Sequence, residues 1–345
     1  MTKRKYLYNM GCFMRNVTMS DIAKEANVSK TTVSKVLNNK QISVSNETRK
    51  NIFEIAKRLN YVPNSVARSL STRKTNTIGI ILPDIENPFF SEMAKAIEEN
   101  AESLGYNVIL CNSYNKDEKE ERYIRLLVSK LVDGVIFASG GNSEDSLNIL
   151  RSNRVPFVVI DREIETIEKY SGVLCDNEQG IELGVNYLFN KGKRQIAFVA
   201  GEPKFQISKI RNESYKNIAK KLGVYNPDII CESEFSIEGG MKATEELLLR
   251  SKYIDAIFYS SDVMALGGMK YLIRNGYKIP DDISILGYDN INISSLSEPE
   301  LTTIAQPIYS MGEEAFKLLI EIIGGSDKNQ IIKLKTKLIE RDSVK

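Results

Sequence analysis

The 345-residue chain is predicted to fold as a small all-α helix-turn-helix head followed by a larger α/β body of two subdomains, and three observations carry that prediction. Val17 to Asn38 reads as two short helices broken at Asn27-Val28. From Thr77 onward apolar strands alternate with amphipathic helices, the pattern of parallel sheets covered by helices on both faces. Charge divides at the same place: residues 1–74 carry fifteen Lys and Arg against four Asp and Glu, whereas the remainder carries 32 against 41. A basic head on an acidic body is the electrostatic footprint of a nucleic-acid binder.

In the head, Thr18 followed three residues later by Asp21 resembles a capping box with Asp in place of the usual Glu, and Ile22, Ala23 and Ala26 supply a buried stripe. The second helix opens at Ser29, whose hydroxyl can accept from an unsatisfied amide one turn in. At about 100° per residue, Val33, Val36 and Leu37 fall on a packed side. Thr31, Ser34 and Lys35 fall on the opposite side, with Lys30 at the boundary. An outward face of lysine and small hydroxyls suits a major groove, although the same pattern fits an ordinary helical domain with solvated lysines. Ser45 caps a third helix, which closes the unit through Ile52, Ile55, Ala56 and Leu59 and ends near Asn60-Tyr61-Val62-Pro63. Asn64 to Leu70 is a one-to-two-turn helix candidate, too short to be stable alone, so it is expected to fold only when held.

The body begins with strand Thr77 to Leu82, a helix to Leu104 stopped by Gly105, strand Asn107 to Cys111, a helix Lys116 to Leu131, strand Gly134 to Ala138, and a helix ahead of strand Phe157 to Ile160. The pattern then repeats: Gln195 to Ala200, Ser208 to Leu222, Asp228 to Cys231, Ile237 to Arg250, Ala256 to Ser260, Val263 to Asn275 and Ile283 to Leu286. Two open sheets facing one another form a cleft at their strand ends, where α/β folds take small ligands. Asp84, Phe89, Phe90, Asp161, Arg162, Phe205, Arg211, Phe235, Asp262 and Asp289 follow expected strands or sit at loop-helix junctions. Carboxylates and arginines pair with hydroxyls, and aromatic faces stack on sugar rings or bases. The alternatives are that Phe89 or Phe90 is core, that Asp84 and Asp262 are plain helix caps, and that Asp161 and Arg162 form a surface ion pair.

Composition closes off other classes. The chain has no His and no Trp, which excludes His-based triads, His general bases and His metal ligands. Cys12, Cys111, Cys175 and Cys231 are scattered without a CxxC and read as reduced thiols. The chain has no run of about twenty apolar residues, so no membrane span is expected. Gly239-Gly240 and Gly267-Gly268 are weak evidence for a phosphate loop.

The motifs then become specific. Asp21-Ile22-Ala23 with Val28 to Asn38, Asn60 to Leu70, Ile80 to Phe90, Val158 to Arg162, Ser261-Asp262 with Ala265 and Gly267, Gly287-Tyr288-Asp289, Leu301 to Ile304 and Leu338 to Arg341 together resemble the LacI/GalR family of bacterial transcription regulators. The similarity covers almost everything after residue 16. It implies a periplasmic-binding-protein-like ligand domain behind the head and a sequence-specific regulator, with repression the expected sense. Its effector would be a sugar or sugar derivative, with no enzymatic activity, cofactor or metal.

On this reading the DNA contacts are Thr18, Ser29, Lys30, Thr31, Thr32, Ser34, Lys35, Asn38, Ser45 and Tyr61. In the hinge, Leu70 would wedge into the minor groove, Val66 and Ala67 would pack on the partner chain, and Asn64 would lie near a phosphate. The resemblance places Phe89, Phe90, Arg162, Arg211, Phe235 and Asp289 at effector-contact positions, with Arg211 and Asp289 foremost. Phe205 stands where some nucleobase-binding members have an arginine, which favours a sugar over a purine. Position 35 is usually arginine, so the lysine here gives up the planar fork that reads guanine. Ser214-Tyr215 replaces the glycine and aromatic that commonly follow Arg211.

The expected partners are a near-palindromic double-stranded DNA operator, a small sugar-like effector and a second copy of the chain, in the cytoplasm. A dimer is expected because one head covers too few base pairs and only four residues follow Arg341. Residues 1–16 lie outside the resemblance and are either a basic arm or the product of a start placed upstream of Met10 or Met14. The expected domains are 17–62 for the head, 63–76 for hinge and linker, and 77–345 for the ligand domain. Its subdomains are expected at 77–162 plus 291–325 and at 163–290 plus the C-terminal strands. The other classes considered are a two-lobed solute-binding protein, which needs export, and a sugar-metabolising α/β enzyme.

Overall fold

The computed structural model describes residues 17–38, 41–62, 74–138, 144–163, 170–327 and 329–345. The chain divides into two compact units, Met1–Arg73 and Lys74–Lys345.

In the first unit, α1 (Met19–Glu25), α2 (Lys30–Leu37) and α3 (Asn46–Arg58) begin where the capping residues predict. The Thr18 backbone amide and hydroxyl both donate to Asp21 Oδ2, at 2.8 and 2.7 Å, so the shorter acid still serves as the reciprocal cap. Asn27 takes φ 52°, a left-handed conformation that asparagine tolerates, and this turns the chain out of α1. Ser29 Oγ accepts from the Thr32 amide at 3.0 Å, and Ser45 Oγ accepts from the Thr48 amide at 3.1 Å. Ile22, Val33, Val36 and Ile52 are completely buried at the meeting of the three helices, each worth roughly 1.5–3 kcal/mol of burial.

The second unit holds two six-stranded sheets. β1 (Thr77–Leu82), α4 (Pro88–Ser103), β2 (Asn107–Asn112), α5 (Asp117–Ser129), β3 (Gly134–Phe137), α6 (Glu144–Ser152), β4 (Phe157–Ile160) and β5 (Gly172–Cys175) come first. There follow α7 (Asn177–Asn190), β6 (Ile196–Gly201), α8 (Gln206–Lys221), β7 (Ile230–Ser233), α9 (Ile237–Arg250), β8 (Ala256–Tyr259), α10 (Asp262–Arg274), β9 (Ser284–Asp289) and β10 (Thr302–Ala305). The chain closes with α11 (Ile308–Ile323), β11 (Ile331–Leu334) and β12 (Lys337–Ile339). Strand order is β11-β5-β4-β3-β1-β2 in the first lobe and β12-β10-β9-β8-β6-β7 in the second. Neighbouring strands run parallel throughout except for β12, which lies antiparallel to β10.

The strand pairing differs from the expected division at 162 and 291. β5 joins the first sheet, with Gly172 opposite Val159 of β4, although it lies beyond residue 163. β10 joins the second sheet beside β9 rather than returning with α11 to the first. The two last strands part company, β11 to the first lobe and β12 to the second. The chain therefore crosses between lobes after β5, after β10 and after β11, because a strand is assigned to a sheet by its pairing partners and not by its place in the sequence.

Two helices are absent from the expected alternation, α7 and α11. In α7, Gly180 and Gly184 dilute the helical signal; a Cβ on Gly180 would meet Tyr288 Oη at 2.3 Å and one on Gly184 would meet Phe258 at 2.6 Å. Gly240 and Gly267 have a similar use. A Cβ on either would come within 2.0 or 2.1 Å of a backbone carbonyl on the facing helix, so these glycines let α9 and α10 touch backbone to backbone rather than cradle phosphate. Cys111, Cys175 and Cys231 are buried free thiols in β2, β5 and β7. Burial pushes the Cys111 thiol up to about 11 and the Cys231 thiol up to about 12. Among the described residues, no helix is long and apolar enough to cross a membrane.

Candidate functional site

The C-terminal ends of strands from both lobes converge on one cavity, the place where open α/β sheets take small ligands. From the first lobe, Asp84 follows β1, Phe89 and Phe90 open α4, and Asp161 and Arg162 follow β4. From the second come Arg211 on α8, Phe235 after β7 and Asp289 at the end of β9. Eight of the ten residues expected at the cleft thus line it. Phe89 and Phe90 are buried and meet edge to face with centroids 5.0 Å apart, so they serve core and cavity wall together. Gly201 makes room for the opposite wall, since a Cβ there would lie 2.1 Å from Phe235 Cζ.

The polar groups are held tightly. Arg211 donates from Nε to Asn177 Oδ1 at 2.9 Å and from Nη1 to the Ser260 carbonyl at 2.6 Å, and its guanidinium lies 3.9 Å from the Tyr288 ring centroid. Asp161 and Asp289 both adopt positive φ, 71° and 123°, conformations of the kind that cluster at functional sites. Asp161 and Arg162 form a buried pair rather than a surface one, 3.7 Å apart. Burial raises the Asp161 carboxyl, with Arg162 and Arg211 pulling it back, and burial lowers the Arg162 guanidinium. Asp161 Oδ1, Arg162 Nε and Gln306 Oε1 are buried without a hydrogen-bond partner among the described residues, a cost of about 1–3 kcal/mol for each such group.

Asp289 Oδ1 accepts from Gln306 Nε2 at 2.7 Å, and burial pushes its carboxyl well above the usual carboxylate range, against the pull of Arg211. An acid raised on folding contributes stability that is complete below its unfolded value of about 4 and is lost as pH rises through the folded value. Asp289→Asn keeps an acceptor for Gln306 and removes that loss. The melting temperature of the variant relative to wild type should rise as pH increases above the unfolded carboxyl value of about 4, with the two proteins converging at the acid end. A difference independent of pH would contradict the buried-charge account.

Two expected cleft residues lie elsewhere. Asp262 is completely buried beneath the β9–β10 connection. Its Oδ2 accepts from the Ile291 amide at 3.0 Å and from Ser294 Oγ at 2.6 Å, and its Oδ1 accepts from Thr303 Oγ1 at 2.6 Å. It organises the loop behind Asp289 and does not face the cavity; burial pushes it up to about 6 despite those donors. Phe205 is buried behind the wall, against Arg162 and Phe235. Conversely, Asn87, Asn115, Ile207, Ser261 and Gln306 line the cavity without having been singled out. Asn87 and Ser261 were within reach, being N-caps of α4 and α10 inside quoted motifs. Asn115 carries a weaker signal, φ 54° in a turn, and Gln306 none before β10 is known to end there.

On the head, Lys30, Thr31 and Lys35 are exposed along α2, while Thr32 and Ser34 are half-buried. The hydroxyls of Thr18, Ser29 and Ser45 are engaged in capping. Asn38 turns its Nδ2 back to the Ser34 carbonyl at 2.7 Å, and Tyr61 rests half-buried on the head core. Asn64, Val66, Ala67 and Leu70 lie outside the described residues.

Residues 18–64 match the family model described as bacterial regulatory proteins of the lacI family. Residues 75–342 match that of periplasmic binding proteins and the sugar binding domain of the LacI family. The chain belongs to the LacI family. It is 38% identical over 332 residues to the ribose operon repressor of Halalkalibacterium halodurans, covering 95% of this chain and 97% of the relative. It superposes on the lac repressor dimer bound to operator and the anti-inducer ONPF with a TM-score of 0.86 at 26% identity, over 95% of this chain and 99% of that one. A LacI-family transcriptional regulator from Enterococcus faecium with bound ribose matches with a TM-score of 0.71 at 32% identity, over 78% of this chain and 98% of that one. As a LacI-family member the protein is a DNA-binding transcription regulator whose two-lobed domain takes a small ligand, and neither an exported solute receptor nor a sugar-metabolising enzyme is the favoured reading.

Proposed function

We propose that this regulator is a cytoplasmic, non-enzymatic repressor whose homodimer binds a near-palindromic operator and is controlled by a small uncharged sugar of pentose size. The observation that carries the sugar is the unpartnered set at the cavity: Asp161 Oδ1 and Gln306 Oε1 call for donors, and Arg162 Nε calls for an acceptor. A hydroxyl group does both, and a ring bearing several would answer all three. The carboxyl groups of Asp84, Asp161 and Asp289 and the guanidiniums of Arg162 and Arg211 mix acceptors with donors, a set that suits several hydroxyls on one ligand. Phe89, Phe90 and Phe235 offer apolar faces for the C–H side of a sugar ring. The relatives named for ribose and holding ribose support the same class.

The test is calorimetric titration of the full chain with ribose, ribose 5-phosphate and hypoxanthine, paired with operator gel shifts at fixed salt. Ribose should bind and change operator affinity, and the other two should not. Binding of hypoxanthine alone would overturn the sugar assignment.

For the head, we assign base contacts to Lys30, Thr31, Ser34 and Lys35. The remaining expected residues, Thr18, Ser29, Thr32, Asn38, Ser45 and Tyr61, would serve backbone contacts, and Leu70 with Asn64, Val66 and Ala67 would form the hinge. Lys30→Ala and Thr31→Ala should each change preference at a defined half-site position by about 1–3 kcal/mol. Selection from a randomised operator pool checks this, and unchanged preference would remove them as readers.

A further inference from the structure

Among the described residues, Arg162 of the first lobe has only long contacts on its own side of the cleft. Asn115 Oδ1 lies 3.4 Å from Nη1, Asp161 Oδ2 lies 3.7 Å from Nε, and the Phe90 ring centroid is 5.8 Å from Cζ. Its nearest aromatic face comes from the second lobe, where the Phe205 ring centroid lies 4.8 Å from Cζ. Both side chains are buried, Phe205 at 4% exposure and Arg162 at 8%. Phe205 is also anchored. Its amide donates to the Glu202 carbonyl at 3.1 Å, and its carbonyl accepts from the Ser208 and Lys209 amides at 3.1 and 3.3 Å as α8 begins. The ring is backed by Phe235 at 6.2 Å. An anchored ring on one lobe therefore meets a guanidinium on the other whose same-lobe contacts, among the described residues, are all 3.4 Å or longer.

We infer that Phe205 is a positioning residue: its ring clasps the Arg162 guanidinium across the cleft, so that closure of the lobes and the orientation of Arg162 toward the effector occur together. A planar guanidinium stacks on an aromatic face, and the attraction grows when water is excluded from both. Phe205 thus acts on effector affinity through Arg162, without facing the cavity. The inference rests on the cleft being the effector site.

The experiment compares Phe205→Tyr and Phe205→Leu in full-length protein, each with Arg162 intact and with Arg162→Met. With Arg162 intact, ribose affinity should stay within about twofold for the Tyr variant and fall about tenfold for the Leu variant through faster dissociation. In the Arg162→Met background, Leu and Phe at position 205 should bind alike. Equal affinity of the Tyr and Leu variants with Arg162 intact would overturn the clasp and leave only apolar packing. A sugar-free readout runs alongside: thermal unfolding of wild type, Phe205→Leu, Arg162→Met and the double variant. The two single losses should not add if the pair interacts, and strict additivity would overturn the inference. Should wild type fail to take ribose, the sugar assignment falls by itself, and the unfolding cycle still decides the clasp.

Discussion

Replacing Arg211 with Met should leave a regulator that still recognises its operator but no longer answers to its effector. The guanidinium fills three roles that Met cannot: it donates to Asn177 Oδ1 and to the Ser260 carbonyl, and it stacks on Tyr288. Removing it takes the Arg211 donors from the Ser260 carbonyl and from Asn177 Oδ1, which keeps the Tyr288 hydroxyl at 3.3 Å, and takes away the positive charge that pulls the Asp289 carboxyl down. A hydrogen bond from a charged group is worth about 1.5–3 kcal/mol, so losing the guanidinium's bond to the effector should weaken binding about 10- to 150-fold in Kd. Arg211→Lys keeps the charge but not the fork, so it should fall between Met and wild type. Ribose titration and operator gel shifts with and without ribose measure both halves of the expectation. A Kd for ribose within threefold of wild type in Arg211→Met would remove Arg211 from the effector site.

The second large effect is on stability. Asp262→Ala should destabilise the two-lobed unit by about 3–5 kcal/mol, because one carboxylate satisfies several buried donors. The Ile291 amide and the Ser294 and Thr303 hydroxyls would all lose their acceptor. Close contact also enters, since a Cβ on neighbouring Gly287 would lie 2.1 Å from Asp262 Oδ1, which shows how little room the network leaves. Denaturant unfolding should show a lower midpoint with an unchanged slope. A loss below about 1 kcal/mol would mean the loop repacks around the vacancy. Because the connection begins directly after Asp289, and the Asn292 amide donates to Glu92 Oε1 of α4 at 2.8 Å, effector affinity should fall as well. The same residue shows why a carboxylate after a strand is an ambiguous sign: Asp289 faces the cavity, and Asp262 turns inward.

How much was legible follows from the range of the interactions involved. The head could be read nearly residue by residue, because capping by Ser29 and Ser45 and the face of α2 depend on neighbours three or four positions away. The alternation of strands and helices was also legible, and with it the cleft at the strand ends. α7 was not, since its glycines answer to Tyr288 and Phe258 in distant strands. Sheet membership of β5 and β10 was lost for a similar reason, as ladder pairing is decided by which edge is open. Among the cleft residues, Phe89, Phe90, Arg211 and Asp289 carried both a position and a motif, whereas Gln306 carried neither until the third dimension placed it beside Asp289.

By itself the amino-acid sequence determined the basic three-helix head, its outward lysine face, the α/β body and the family to which they belong, because these rest on local periodicity, capping and charge. Only the tertiary structure decided which strands share a sheet, how often the chain crosses between lobes, that Asp262 supports a loop and that Phe205 lies on Arg162. Those outcomes depend on contacts between residues 29 to 43 positions apart or more, where burial and hydrogen-bond satisfaction, and no short-range rule, select the partner.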